Sequence, residues 1–244
     1  MKLKSLAIGT SLAIAALSAS GAMAYESGVI IVRGGAVHVA PDESSDGIAV
    51  PLLNIDPISG TEAEVDSNTQ IGLTATYMLS STFGIELLAA TPFSHDITAN
   101  LAAVDPSLSS VAAGDTKHLP PTLSAVWYFM GSDGAVSPYI GAGVNYTWFF
   151  DNDADAEVEA VAGSLANAGG PVPLGLDLDD SWGLAAQAGV DFALNENWHI
   201  NASVRWIDIE TDATFKTEDG ATVITVDNVE IDPWVYQLNI GYKF

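Results

Sequence analysis

The chain has 244 residues, a net charge of −24 at pH 7 and no cysteine. Only seven residues are lysine or arginine, which argues against a basic patch that neutralises nucleic-acid phosphates. Without cysteine there is no disulfide framework, and the length suits one large domain or two small ones.

The first 24 residues have the pattern of a secretory signal peptide. Lys2 and Lys4 precede a short apolar run, and Ala22 to Ala24 form a small-x-small cleavage site. The apolar run is near the lower limit for a membrane-spanning helix, so a retained anchor is the weaker interpretation. We predict cleavage after Ala24 and one exported domain over residues 25–244.

Eight later segments alternate apolar with small or polar residues, which is the two-residue period of a β-strand. In chain order they cover Gly28–Ala40, Asn68–Leu79, Phe83–His95, His118–Phe129, Pro138–Phe150, Asp180–Leu194, Trp198–Ala213 and about Val223–Phe244. The links after the second, fourth and sixth segments are short, and the others are long. The longest link, Asp151–Asp179, is acidic and rich in glycine and proline, so we predict no strand there.

Short turns on one side and long loops on the other are typical of outer-membrane barrels. The apolar parity of each segment carries aromatic residues near its ends, as two interfacial belts would. A soluble lipocalin-like barrel would instead turn its apolar face inward. We therefore predict an all-β fold, an eight-stranded antiparallel transmembrane β-barrel whose apolar parity faces lipid.

Five blocks of the sequence resemble the outer membrane protein W family. They are GIELLAATPF (Gly84–Phe93), HLPPTLSAVWYF (His118–Phe129), PYIGAGVNYTWFFDN (Pro138–Asn152), DSWGLAAQAGVD (Asp180–Asp191) and DPWVYQLNIGYKF (Asp232–Phe244). The resemblance implies a narrow barrel in outer-membrane lipid and lipopolysaccharide that passes small hydrophobic solutes; an alkane-uptake protein is a relative. Terminal Tyr242 and Phe244 resemble the signal that the barrel-assembly machinery recognises, although two ordinary belt aromatics would look the same.

Two interpretations of the interior remain open, and the first is an apolar channel. Pro92, Pro120 and Pro121 lie toward one end of neighbouring strands and cannot donate to a strand ladder. They predict either a lateral exit to the membrane or a bulge that shapes the barrel rim. The resemblance places Leu88 at a channel constriction, and the block opposite it holds Arg205, whose charge departs from an apolar gate.

The second interpretation is a filled barrel. Arg33, Arg205 and Lys243 can point inward, and inward Glu86 and Asp191 could pair with them. A charge in a narrow interior must be paired or hydrated, so we predict an inner charge network of Arg33, Glu86, Asp191 and Lys243. A plugged barrel would be a non-transporting surface protein whose acidic loops bind ions, partners or phage, the alternative to passive passage of hydrophobic solutes.

The sequence carries no motif for catalysis. Neither GxSxG nor HExxH occurs, and the four histidines are scattered, so we expect no enzyme activity, no cofactor and no metal centre. His95 and His118 flank one long loop and could approach each other. The acidic run Asp151–Glu159 lacks the glycine and the last glutamate of an EF-hand, so calcium binding there is only a weak hypothesis.

Overall fold

The structure is a computed structural model that describes residues 24–244, so nearly all of the predicted signal peptide, 1–24, lies outside the described residues. Its strands are β1 (Ile30–Ala40), β2 (Ile48–Val50), β3 (Ile55–Ile58), β4 (Glu62–Val65), β5 (Asn68–Met78), β6 (Phe83–Ala90), β7 (Phe93–Asn100), β8 (Val111–Leu119), β9 (Thr122–Trp127), β10 (Val136–Ala154), β11 (Leu174–Leu178), β12 (Ser181–Ala193), β13 (Trp198–Ile207), β14 (Glu210–Thr217), β15 (Thr222–Glu230) and β16 (Trp234–Lys243). Helix α1 covers Ala156–Leu165, and single 3-10 turns cover Pro51–Leu53 and Pro106–Leu108.

Eight of these strands close into an antiparallel barrel, which confirms the predicted fold. Around the ring their order is β1, β5, β6, β9, β10, β12, β13 and β16, and β16 pairs again with β1. Closure removes the free strand edges, as a hydrocarbon layer requires, because nothing there can satisfy unpaired backbone groups.

The outer surface of the barrel is apolar between two aromatic belts. Along β16 the exposed side chains are the apolar parity, whereas Gln237 and Asn239 on the other parity are buried. One belt includes Trp127, Trp198 and Tyr242, and the other includes Trp148, Trp182 and Trp234. The span from Trp234 to Tyr242 matches the roughly 9–11 residues that a tilted transmembrane strand needs. Among the described residues, no helix is long and apolar enough to cross a membrane.

Above the membrane, the chain builds a second set of strands in place of the predicted loops. There β7 and β8 pair with each other, β4 pairs with β7, and β11, β14, β15, β2 and β3 continue the sheet. We call this part the extension. The prediction of no strand in Asp151–Asp179 is wrong, because β10 runs to Ala154 and β11 pairs with β14. At five residues, β11 is too short for a clear periodic signal.

Several predicted strands are split where the chain passes from the membrane barrel into the extension. The predicted third strand breaks at Thr91–Pro92 into β6 and β7, and the fourth breaks at Pro120–Pro121 into β8 and β9. The last two predicted strands break in the same way, at Asp208–Ile209 and at Ile231–Pro233. At each break one ladder of the membrane barrel ends and a ladder of the extension begins.

Two apolar clusters occupy the interior at different heights. The lower cluster lies at the end that carries the short turns and contains Tyr25, Ile31, Met78, Tyr128 and Tyr139 among its members. The larger upper cluster begins inside the barrel and continues into the extension. Its members include Val37, Ala185, Ile207, Val235, Val229, Phe215 and Phe149. A polar layer separates the two clusters.

The close approach of the β16 backbone to β1 at the closing seam requires a glycine at position 35. A Cβ atom there would lie 2.1 Å from the Leu238 carbonyl oxygen, whereas at Gly34 the nearest atom would be 3.7 Å away. We expect Gly35→Ala to lower the free energy of unfolding by about 1–3 kcal/mol, because the seam must open to admit the methyl group. Urea unfolding in lipid vesicles measures this, with Gly34→Ala as the matched control; equal effects of the two changes would contradict the steric explanation.

Candidate functional site

The polar layer in the barrel is centred on a buried arginine and two carboxylates. Arg33 on β1 is 3.1 Å from Glu86 on β6 and 2.8 Å from Asp191 on β12. Its remaining donors reach Thr76, Tyr128 and the ring of His199. The two carboxylates lie on strands that are not neighbours of each other in the ring, so the guanidinium ties separate parts of the wall together. The predicted pairing of Arg33 with Glu86 and Asp191 is present.

Arg205 joins the same layer from the opposite wall. It lies on β13, four strands around the ring from Glu86, and its Nη2 donates to Glu86 Oε1 at 2.9 Å. The same nitrogen donates to Gln187 Oε1, and Gln187 Nε2 donates back to Glu86 at 3.0 Å. Arg205 therefore spans the lumen as part of the ion network, a role beyond the constriction predicted for it.

Lys243 needs a correction, because it does not belong to this network. Its ammonium group donates to the Ala24 carbonyl oxygen at 3.1 Å, at the end of the barrel that carries the short turns. Lys243 is the last residue of β16, so its flexible stem extends to the rim rather than into the polar layer. The two carboxylates are paired with the two arginines instead.

Three ring groups that were not predicted from the sequence complete the surroundings of Asp191 in the polar layer. Tyr25 donates its hydroxyl to Asp191 at 2.8 Å, and Tyr128 donates to the same carboxylate at 3.1 Å. His199 lies 3.6 Å from Asp191 and is fully buried. Strand parity places His199 on the inward side and could have revealed it, whereas Tyr25 precedes the first strand and carries no periodic signal.

Above the polar layer the interior is mostly apolar. Two cavities of about 50 and 40 Å³ lie within the extension and the top of the barrel. Their walls include Ala63, Val39, Ile97, Val229, Ile231 and Phe149. Leu88 is buried on the inward parity of β6, two residues above Glu86, so it lies at the boundary between the apolar space and the network.

The barrel wall has an unpaired section beside this apolar space. The β6–β9 ladder ends at the pair Leu88–Thr122, and pairing resumes only at Phe93–His118 between β7 and β8. A recess of about 240 Å³ opens there, lined by Ala89, Ala90, Leu119, Pro120, Pro121, Tyr146 and Trp148. We call this unpaired section the lateral gap. It is bordered by Pro92, Pro120 and Pro121, of which Pro120 is buried and the other two are exposed.

Two histidines face each other next to the lateral gap. His95 on β7 and His118 on β8 lie outside the eight membrane strands, with their Nε2 atoms 3.1 Å apart. His95 Nδ1 donates to the Asp66 carbonyl oxygen, so in the neutral pair His95 Nε2 accepts a hydrogen bond from His118 Nε2. The Nδ1 atom of His118 is then unprotonated and has no hydrogen-bond partner among the described residues. Burial lowers the pKa of His118 to about 3 and also lowers the pKa of His95.

No cluster of three or more histidine, cysteine or acidic side chains suitable for a metal ion occurs in residues 24–244. His118 is packed between Phe93 and Phe149, whose ring centroids lie 5.5 and 5.7 Å from its own. They line the second apolar cavity and are part of its wall.

A closed eight-stranded barrel with an apolar belt outside and a polar layer inside defines a small integral protein of the outer membrane. The OmpW family model matches residues 26–244, and the chain belongs to this family. It is 45% identical over 231 residues to outer membrane protein W of Vibrio cholerae serotype O1, covering 95% of both chains. These findings confirm the resemblance stated above and place the protein in the outer membrane.

Solved structures show the same architecture. The crystal structure of the outer membrane protein OprG from Pseudomonas aeruginosa is 38% identical and superposes with a TM-score of 0.77, covering 91% of this chain and 99% of that one.

A more distant relative in sequence is the dibenzothiophene metabolism operon protein PahQ of Pseudomonas aeruginosa, 24% identical over 214 residues and covering 87% of both chains.

The buried ion network predicts that removing a charge inside the barrel lowers the free energy of unfolding more than removing a charge outside it. We expect Asp191→Ala to cost about 3–5 kcal/mol in the free energy of unfolding, because Arg33 keeps its buried charge with half of its pairing lost. Lys216→Met breaks the exposed pair with Asp177, at 2.7 Å, and should cost about 0–1 kcal/mol. Urea unfolding in vesicles compares the two variants, and similar small losses would refute the structural role of the network.

The histidine pair predicts acid sensitivity of the extension. The unfolded chain takes up a proton at an ordinary histidine pKa near 6.5, whereas folded His118 does so only near pH 3. Stability is therefore unaffected above pH 6.5 and falls as the pH drops from 6.5 toward 3, by roughly 2–3 kcal/mol between pH 6.5 and 4.5.

Urea unfolding at the two pH values tests this in wild type and in His118→Phe, which should lose most of the acid effect. Lys117→Gln, a neighbouring change on β8, is the control and should keep it. An unchanged acid loss in His118→Phe would show that other groups cause it.

Proposed function

We propose that this barrel passes small hydrophobic molecules passively from the cell exterior into the outer membrane, through the lateral gap. The observation that supports this most directly is the position of an apolar interior immediately above a closed polar layer and immediately beside an unpaired section of wall. An apolar molecule in that interior has an apolar route sideways and a charged barrier below.

The direct route to the periplasm is unfavourable for such a molecule. The Arg33 and Arg205 guanidinium groups cross the lumen with Glu86 and Asp191, and the aromatic rings of the lower cluster lie beneath them. Passing this layer would separate buried ion pairs, at a cost of several kcal/mol. Leaving through the wall instead keeps the solute's surface away from water, which favours transfer by about 25 cal/mol per Å² of apolar area.

The three prolines explain how a gap can exist in a wall that otherwise has to be fully hydrogen-bonded. Pro92, Pro120 and Pro121 have no N–H group, so fewer backbone donors are left unpaired when the ladder is interrupted. Leu88 lies at the foot of the gap, and we assign it the inner constriction of this route.

The name of one relative supports the proposed class of solute. The name of PahQ associates that protein with the metabolism of dibenzothiophene, an apolar aromatic compound. The family resemblance gave the same expectation for solutes, and the apolar lining of both cavities is suited to them.

The small size of the cavities supports a second candidate, a non-transporting surface barrel with an acidic extension that binds ions, partners or phage. An apolar cavity of about 150 Å³ accommodates one benzene molecule, whereas the two cavities here are about 50 and 40 Å³. Passage therefore requires the strands beside the gap to separate, and this requirement distinguishes the two candidates.

For assembly, we propose that Tyr242 and Phe244 present the recognition signal to the barrel-assembly machinery. Their rings stack edge to face at 4.7 Å on the outer surface of the strand that closes the barrel onto β1. Lipid and lipopolysaccharide are then the direct surroundings of the mature barrel.

A covalent bridge across the lateral gap tests the transport proposal. Ala89 and Pro121 are the positions that would pair next if the β6–β9 ladder continued, and the chain has no cysteine of its own. We expect Ala89→Cys with Pro121→Cys to take up a labelled alkane at the wild-type rate when reduced. Bridging the thiols with a short bifunctional reagent should lower uptake to that of a deletion strain.

The matched control places the bridge where the strands are already paired. Leu87 and Leu123 are directly opposite each other in the β6–β9 ladder, one pair below its last pair, and both face lipid. Bridged Leu87→Cys with Leu123→Cys should leave uptake unchanged. Equal uptake in the deletion strain and in wild type would instead support the surface barrel.

A further inference from the structure

Arg205 uses only part of its hydrogen-bonding capacity, although its side chain is 1% exposed. Both of its contacts, to Glu86 and Gln187, are made by Nη2. Its Nε and Nη1 atoms have no hydrogen-bond partner among the described residues. A buried donor without an acceptor costs free energy, so these N–H groups form a site for an acceptor that comes from outside the chain.

Other free polar groups lie in the same layer. Gln237 is inward on β16, two residues from Val235, which is directly opposite Arg205, and its Nε2 is buried without a partner in the described part of the chain. Thr74 and Ser124 are opposite Leu88 and Glu86, and their hydroxyl groups are also buried and unpartnered there. Unpartnered donor groups therefore occur on four inward-facing strands of this layer.

On β12 and β13 the layer immediately above these donors is apolar. Ile207 is the next inward residue after Arg205 on β13, and Ala185 is the next after Gln187 on β12. Both belong to the upper apolar cluster, together with Val37 and Val235. The space proposed for solute passage thus has apolar walls and a floor of hydrogen-bond donors, which suits a molecule with an apolar body and one polar end.

The charge balance of the network decides what kind of polar end fits. Two buried cations, Arg33 and Arg205, face two buried anions, Glu86 and Asp191, and His199 adds no charge in its neutral form. A carboxylate or phosphate brought to Arg205 would add an uncompensated negative charge to a buried site. A neutral oxygen acceptor satisfies the donors without this cost.

We propose that Arg205, with Gln237, forms a binding site for the uncharged oxygen of a small amphipathic molecule such as a medium-chain ketone, aldehyde or ether. Its hydrocarbon part lies in the upper apolar cluster. This site rests on the proposed function in that it names the solute class that pauses in the channel. The binding itself is measurable without any transport.

The sequence offers a direct probe, because Arg33 and Arg205 are its only arginines. The Nε–H region of a ¹⁵N NMR spectrum of the barrel in lipid nanodiscs should hold two arginine signals. Arg205→Lys, which keeps a positive charge near Glu86, assigns them. We expect 2-octanone to shift the Arg205 Nε–H signal in a saturable way, whereas n-octane and octanoate at the same concentration leave it in place.

A variant pair then tests the site without altering charge. Gln237→Met removes one donor and should weaken the apparent affinity for 2-octanone by about 2- to 10-fold, the effect of one neutral hydrogen bond. Gln70→Met is the matched control, since Gln70 lies near the upper end of β5 and bonds Asn68 and Thr91 instead; it should bind as wild type does.

Two results would overturn the proposal: an Arg205 signal that 2-octanone does not move, as expected if only water contacts these donors, or an equal shift with n-octane. Failure of the transport proposal is a separate outcome. If 2-octanone shifts the signal but the bridged gap does not affect uptake, the binding site stands and lateral passage fails. If uptake depends on the gap while the signal stays fixed, passage stands and the site is rejected.

Discussion

The pairing of two arginines with two carboxylates across a narrow lumen is the interaction on which the interior of this protein depends. Eight strands enclose only enough space for side chains or one small ligand, so any charge inside is dehydrated. Arg33 on β1 and Arg205 on β13 both bind Glu86 on β6, while Asp191 on β12 binds Arg33. Because each pair joins strands that are not neighbours in the ring, the network holds the strands together and also closes the direct path through the barrel.

This closed layer divides the barrel into two functional halves. Below it, aromatic rings and the Tyr25 hydroxyl seal the end that carries the short turns. Above it, apolar side chains continue from the barrel into the extension, and the wall beside them is interrupted by three prolines. The two interpretations that the sequence left open, an apolar channel and a filled barrel, therefore describe different heights of one molecule. The filled lower half is what makes a sideways route necessary in the proposed function.

Much of the fold could be predicted from the sequence because the lipid imposes a simple rule on each membrane strand. Residues such as Leu238 and Gln237 must alternate between hydrocarbon and lumen, so parity assigns them without knowledge of their neighbours. The extension has no such constraint, and β11 and β14 are stabilised by pairing between segments far apart in sequence. Lys243 was misassigned for a related reason: parity gives the side of a strand, but the height along the barrel decides whether a long side chain reaches the network or the rim.

The sequence by itself determined that the protein is a closed outer-membrane barrel, which side of each strand faces lipid, and that charges inside it must find partners. Those conclusions follow from local alternation and from the cost of burying charge, both of which are visible one segment at a time. Only the tertiary structure decided which charges meet, where the ladder between β6 and β9 stops, and which donors of Arg205 remain free. These depend on strand stagger around the ring, which sets the relative height of residues on different strands and is not encoded in the pattern of any one of them.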